Sequence, residues 1–322
     1  MNRNRPTHLW LPVVLLGTVF AWENASATPP STPDAYARCA TRLSISIKGV
    51  SPTAGEISST APQANAGGML LTPEFNERFA RFLNTELNSS PGSTQLEDAP
   101  YFVAKHVLDK GLPYSDLFRG QFDVAEAGGG VTVQASANGL GYFRTKSWLE
   151  RYAGNETQGY RLVTAYRLMQ NVVGLQLDAI QDTAGVDNSF AGRTSNPACK
   201  ICHGDAANGL GPRWFQLDRV AGIFPRVVRS GNNIAFTGPK PNPAGIDVGG
   251  TTVTDDASLV NALVASENFS FNACRVAFKY LYGRPESTCE APVFEKCRAA
   301  FKASGKIQDG LRAIAEDPDF CQ

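Results

Sequence analysis

The sequence has no surplus of charge: 30 Lys+Arg stand against 30 Asp+Glu over 322 residues, a formal net charge of zero. A nucleic-acid binder usually carries a basic excess, so no nucleic-acid partner is expected. Beyond residue 27 no run approaches the roughly twenty apolar residues that a bilayer crossing takes, so no transmembrane anchor is expected in the mature chain. Only one C-x-x-C pair occurs, and a zinc ribbon would want a second. There is no internal repeat, and no catalytic triad or paired-carboxylate arrangement stands out. Histidine and methionine are scarce, at three residues each.

What is present begins with ordinary globular composition: 43% apolar against 19% charged residues, with 30 Gly and 20 Pro to supply long loops. Arg3 and Arg5 form a basic start, Leu9 to Trp22 is apolar but short for a span, and Ala25-Ser26-Ala27 is an A-x-A cleavage signal. Residues 1–27 are therefore expected to be a signal peptide cleaved near Ala27/Thr28, and no cysteine at the junction marks a lipoprotein. The expected location is the periplasm or the exterior, where disulfides persist and seven cysteines are natural.

Periodicity predicts a mainly α protein. Helices are expected over Ala35–Ile47, from Thr72-Pro73 (an N-cap and N1 proline) through Phe75, Phe79, Phe82 and Leu83, and over Tyr101–Lys110. Pro113–Phe122, Trp148–Tyr152 and Gly159–Ile180 also read as helices, with Ser58–Gly68 as a loop and Val131-Thr132-Val133 as a brief strand. From about Asp187 to Gly250 composition shifts to Gly, Pro, Asn and Arg and periodicity nearly vanishes, which is odd unless something besides side-chain packing organises the stretch. Four consecutive helices follow, at Asp256–Ser266, Phe271–Tyr282, Ala291–Ala303 and Ile307–Glu316. The expected organisation is a helical N-terminal domain over 28–186, an attachment segment over 187–255 and a C-terminal helical bundle over 256–322.

The attachment segment contains Cys199-Lys200-Ile201-Cys202-His203, the C-x-x-C-H of covalent haem attachment. Two cysteines three apart on a turn of helix reach the two vinyl groups on one porphyrin edge, and the adjacent histidine presents its imidazole to the iron. One covalent haem c is expected, tethered by Cys199 and Cys202 and ligated by His203, and a large apolar disc would serve as local core for irregular backbone. A thioredoxin-like motif would follow a strand in a βαβ pattern, which the flanks lack, and a plain Cys199–Cys202 disulfide would leave His203 without purpose. Arg213, Arg219, Arg226 and Arg229 follow, opposed by Asp218 alone, and suit haem propionates, an acidic partner or simply solvent. Trp214 and Phe215 fit either haem contact or ordinary core.

For the opposite face of the iron the mature chain offers Met169, His106 and Met69, and no methionine follows residue 203. Met169 sits beside Tyr166, Val172 and Val173, where core packing competes with ligation, and Met69 adjoins Leu70 and Leu71. His106 lies on the apolar side of its helix, where a hydrogen-bonded core histidine is the default. Water, an open position or another donor complete the alternatives. Among the other cysteines, a hairpin of the helices carrying Cys274 and Cys297 would place both about two turns from its loop, which predicts Cys274–Cys297. An antiparallel last helix would bring Cys321 to Cys289, leaving Cys39 over.

Residues 195–322 resemble the planctomycete-type cytochrome c proteins, whose flanking domains are of unknown function. The likeness runs from Cys199–His203 through Gly209-Leu210-Gly211, Gly249-Gly250 with Val253-Thr254-Asp255, and Phe271-Asn272-Ala273-Cys274. It continues in Leu281-Tyr282-Gly283-Arg284 and Asp317-Pro318-Asp319-Phe320, and weaker likeness appears at Lys48–Thr53 and Leu112–Ser115. The resemblance implies haem binding by Cys199, Cys202 and His203 and supplies no reaction. The leading expectation is an exported monohaem cytochrome passing single electrons to an unidentified redox partner. The alternative is a haem-dependent enzyme or gas sensor, peroxidase- or oxygenase-like, with an open sixth iron position. The long stretch ahead of the motif and the absent downstream methionine both fit it.

Overall fold

The computed structural model describes residues 32–152, 162–176, 195, 223, 226–230, 233–237, 245–248 and 250–322. It is mainly α-helical. The N-terminal helices are α1 (Pro33–Lys48), α2 (Ala54–Ile57), α3 (Ala66–Met69), α4 (Pro73–Leu87), α5 (Ala99–Asp109), α6 (Asp116–Arg119), α7 (Lys146–Tyr152) and α8 (Leu162–Val173). The C-terminal ones are α9 (Asp256–Ala265), α10 (Glu267–Tyr282), α11 (Ala291–Ser304) and α12 (Ile307–Ala315). Three antiparallel hairpins interrupt them: β1 (Phe122–Ala127) with β2 (Gly130–Ala135), β3 (Arg226–Ser230) with β4 (Asn233–Thr237), and β5 (Ile246–Val248) with β6 (Thr251–Val253).

Local chemistry explains the helix ends. The Thr32 hydroxyl accepts from Ala35 N at 3.2 Å, Pro33 follows at the first helical position, and Gly49 at φ 75° closes α1 by donating to Ser44 and Ile45 carbonyls. Thr72 caps α4 in the same way through Phe75 N. Four-residue spacing then puts Phe75, Phe79, Leu83 and Leu87 on one buried face. Each fully buried phenylalanine contributes on the order of 2 kcal/mol. That face meets Tyr280 of α10, whose ring stands edge-on to Phe75 and Phe79 at 6.1 and 4.8 Å. The Tyr280 hydroxyl donates to the Ile47 carbonyl at the end of α1, 2.6 Å away. The helices before residue 174 and those after residue 255 thus bury their apolar faces in one core.

The structure departs from expectation in several places. Ser58–Gly68 is not all loop: a 3-10 turn at Pro62–Asn65 leads into α3, and Gly67 leaves room for the Arg312 side chain of α12 against its backbone. Small residues serve close approach there, and packing overrides their poor helix propensity. The helix expected over Pro113–Phe122 is the single turn α6, since Phe122 starts a strand paired with Ala135. The brief strand expected at Val131–Val133 is the middle of β2, and its partner β1 was unforeseen. Gly128 and Gly129, at φ 60° and 82°, make the two-residue turn between them, a geometry that requires left-handed residues. Helix α8 stops at Val173, with the Asn272 amide donating to the carbonyls of Asn171 and Val172 at 3.0 and 3.3 Å. Residues 177–180 of the expected helix lie outside the described residues. The four C-terminal helices are all present.

Of the two expected disulfides, Cys274–Cys297 joins α10 to α11 with a Cα–Cα distance of 6.0 Å. The other is corrected: Cys321 bonds Cys39 of α1 (Cα–Cα 5.0 Å), and Cys289 is free and exposed. After α12 the chain turns through a 3-10 segment, Pro318–Cys321, that buries Phe320 and lays it under the Arg42 guanidinium, 4.9 Å from ring centroid. The terminus is drawn to α1, away from the exposed turn that holds Cys289. The bond spans 282 residues, so the chain-entropy picture gives it about 5.6 kcal/mol against about 3.4 for the 23-residue Cys274–Cys297 loop. Peptide mapping without reduction should recover Cys39–Cys321 and Cys274–Cys297 linked pairs and an alkylated Cys289. A Cys289–Cys321 peptide would contradict this arrangement.

Candidate functional site

Cys199, Cys202 and His203 lie outside the described residues, as do Arg213, Arg219, Trp214 and Phe215. Arg226 and Arg229 belong to β3. What is described are the parts of the body that flank this stretch of chain. On its N-terminal side stands α8, which is followed by Gly174 at φ 71°, and the described chain then runs to Gln176. On its C-terminal side come the buried Ile223 and then β3, which lies against α7.

Helix α7 and the loop before it carry an aromatic cluster. The Trp148 ring lies 5.3 Å from Tyr142, 4.9 Å from Phe143 and 4.3 Å from Tyr152. All four rings are buried, and the two tyrosine hydroxyls are anchored. Asn171 of α8 donates through Nδ2 to the Tyr142 hydroxyl at 2.9 Å, and Tyr152 donates to Ser89 Oγ at 2.8 Å. Burial pushes the Tyr142 phenol well above its ordinary range, so it stays neutral at any physiological pH. Edge-to-face contacts at these spacings fix ring orientation as well as burying area.

The loop that carries Tyr142 and Phe143 is pinned across the sequence. Arg144 makes a bidentate pair with Asp256 at the start of α9, at 3.0 and 2.7 Å, and a third bond to the Asn138 carbonyl at 2.9 Å. Asp256 is 1% exposed and takes the Ala257 N–H as well. Hydrogen bonding to that carboxylate raises the Arg144 pKa. The pair ties the segment before α7 to the point where the chain re-enters the helical body after β6. Sequence reasoning missed it, and a separation of 112 residues leaves no periodic signal to find it by.

The three candidates for the second iron face sit on three helices with different neighbours. Met69 ends α3, packed against α1 and α12, and is 3% exposed. Met169 lies in α8, packed against α9 and α10, and is 2% exposed. Both are core residues. His106 is not the hydrogen-bonded core histidine expected of it: it is partly buried on α5, edge-on to Phe122 at 4.9 Å. No hydrogen bond reaches its ring nitrogens from the described residues. Desolvation and the nearby Lys110 charge lower its pKa below the usual 6.5, against the pull of Asp109. A neutral imidazole with a free lone pair is the form that ligates metal. Among the described residues no cluster of three or more His, Cys, Asp or Glu is placed to hold a metal ion.

Comparison with family models, with characterised proteins and with solved structures returns no match. No helix among the described residues is long and apolar enough to cross a membrane. Two disulfides in the folded body fit an oxidising compartment.

Two measurements check this geometry. Arg144→Met strands the buried Asp256 carboxylate and should cost about 3 kcal/mol in urea unfolding. Arg144→Met with Asp256→Leu should recover much of that loss, and equal losses in the two variants would deny the pair its role. The His106 pKa is lower folded than unfolded, so its stabilising contribution is present above about 6.5 and fades as pH falls through the folded value. NMR titration should place the His106 midpoint below 6.5, and His106→Gln should flatten the stability slope there.

Proposed function

We propose that this chain is an exported monohaem c-type cytochrome that passes single electrons. The observation that carries the reading is Cys199-Lys200-Ile201-Cys202-His203. The donor set fits the group: two thiols at the spacing of the porphyrin vinyls, and an imidazole next to the second. Cys199 and Cys202 would hold haem c by thioether bonds, with His203 as the proximal ligand of the iron. When bound, the haem supplies an iron that alternates between ferric and ferrous and so carries one electron at a time.

The rest of the chain is consistent with that role. The likeness of residues 195–322 to planctomycete-type cytochromes points the same way. The two disulfides favour an oxidising compartment, which agrees with residues 1–27 acting as an export signal and with a periplasmic or secreted location. The protein's own contribution would be to set the potential through burial, nearby charge and the second axial group. The redox partner is a protein of unassigned identity, and Arg213, Arg219, Arg226 and Arg229 offer a local basic stretch for an acidic one.

One observation favours a second reading. Met69 and Met169 are enclosed in the helical core, which favours packing over ligation for both and gives more weight to His106, water, another donor or an open position. An open site would suit a haem-dependent enzyme or gas sensor, peroxidase- or oxygenase-like.

Exported, matured protein should keep its haem stain on a denaturing gel, and Cys199→Ala with Cys202→Ala should abolish it. A six-coordinate low-spin spectrum in both oxidation states supports electron transfer. A high-spin ferrous form that binds CO rapidly supports the second reading. Colourless wild-type protein would overturn both.

A further inference from the structure

A cavity of about 310 Å³ lies between the α6 turn, the junction of α9 and α10, and the end of α11. Its size falls at the lower end of small-molecule sites, on the order of 300 Å³. Its apolar wall is Phe269 and Phe301, whose ring centroids are 5.7 Å apart. Tyr114 backs both rings at 5.9 and 6.0 Å, and Phe118 stands edge-on to Phe269 at 5.8 Å. A wall so backed is formed before any ligand arrives, which reduces the ordering cost of binding.

The polar lining carries an excess of positive charge. Arg119, Lys302 and Glu267 face the cavity. The Glu267 carboxylate is already shared by Lys302 at 2.7 Å and Arg298 at 2.9 Å, and those cations hold its pKa below the usual carboxylate value. Among the described residues the one ion-pair partner of Arg119 is Asp116, at 4.0 Å, the outer limit of an ion pair. Its planar fork is therefore open to a bidentate carboxylate. Beside it the Ser115 hydroxyl, on a residue 6% exposed, has one long contact of 3.5 Å to Asp116 and keeps bonding capacity.

We propose that this cavity is a binding site for a small aromatic carboxylate, one ring in size. The ring packs on Phe269 and Phe301, the carboxylate pairs with Arg119, and the Ser115 hydroxyl donates a further bond. This site does not depend on whether the chain carries haem.

Titration calorimetry of the full, disulfide-intact protein with benzoate tests it, with neutral benzamide as the comparison. Benzoate should bind one to one and benzamide at least about tenfold more weakly, since a charge-assisted bidentate pair is lost. Arg119→Gln should weaken benzoate by about tenfold or more while bringing the two ligands level. Ala265→Trp, which adds bulk at an exposed position on the cavity wall, should abolish binding. Near-ultraviolet circular dichroism and the urea midpoint confirm that each variant is folded. No saturable benzoate binding, equal affinity for both ligands in the wild type, or unchanged affinity in either variant would overturn the proposal.

Discussion

Tyr280 sits where the two ends of the chain meet. Its ring receives Phe75 and Phe79 from α4, and its hydroxyl satisfies the last turn of α1 at Ile47. A buried phenol needs a partner, and a helix C-terminus has carbonyls to spare, so one contact meets both needs. The Cys39–Cys321 bond closes the same seam covalently, with Arg42 spread over Phe320 and bonded to the Gln322 carbonyl at 2.7 Å. Without this seam the helices before residue 174 and after residue 255 would each expose an apolar face. With it, the two groups of helices close into one body.

Features governed by neighbouring residues were legible in the sequence. Thr72-Pro73 marks a helix start through chemistry that acts within a few residues, and the structure uses the pair as cap and first-turn residue. The Cys274–Cys297 pairing was readable because a hairpin of adjacent helices fixes the level of both thiols. The Cys39–Cys321 pairing was not, since it depends on where Phe320 finds its pocket after 282 residues of intervening chain. Strand β1 was hidden for a related reason: Phe122-Asp123-Val124-Ala125-Glu126-Ala127 buries little besides Val124 and is a strand mainly because β2 pairs with it.

The candidate site divides along the same line. A C-x-x-C-H motif concentrates its chemistry in five consecutive residues, so sequence alone can propose it. A second axial ligand arrives from elsewhere in the fold, and the three candidates differ in ways that only packing reveals. Met69 and Met169 resembled ligands by residue type and are core by environment. His106 resembled core by its spacing, yet it is partly solvated, without a hydrogen bond from the described residues, and biased toward the neutral form. Scarcity made all three conspicuous in the sequence, but environment is what separates them.

Helix α10 runs through every part of this account. Phe269 forms the cavity wall, Asn272 secures the end of α8, Cys274 fixes α11, and Tyr280 holds the seam with α1 and α4. Communication between two sites requires an element with two arrangements whose balance each ligand shifts. A helix bonded covalently at one point, hydrogen-bonded to α1, α4, α8 and α11 and packed among aromatic rings along its length favours a single arrangement. Its contacts with the cavity wall and with the end of α8 therefore argue for a common, rigid support. The zero net charge points the same way for association. Long-range steering is weak, so recognition at either place rests on a few local cations and the shape of the surface around them.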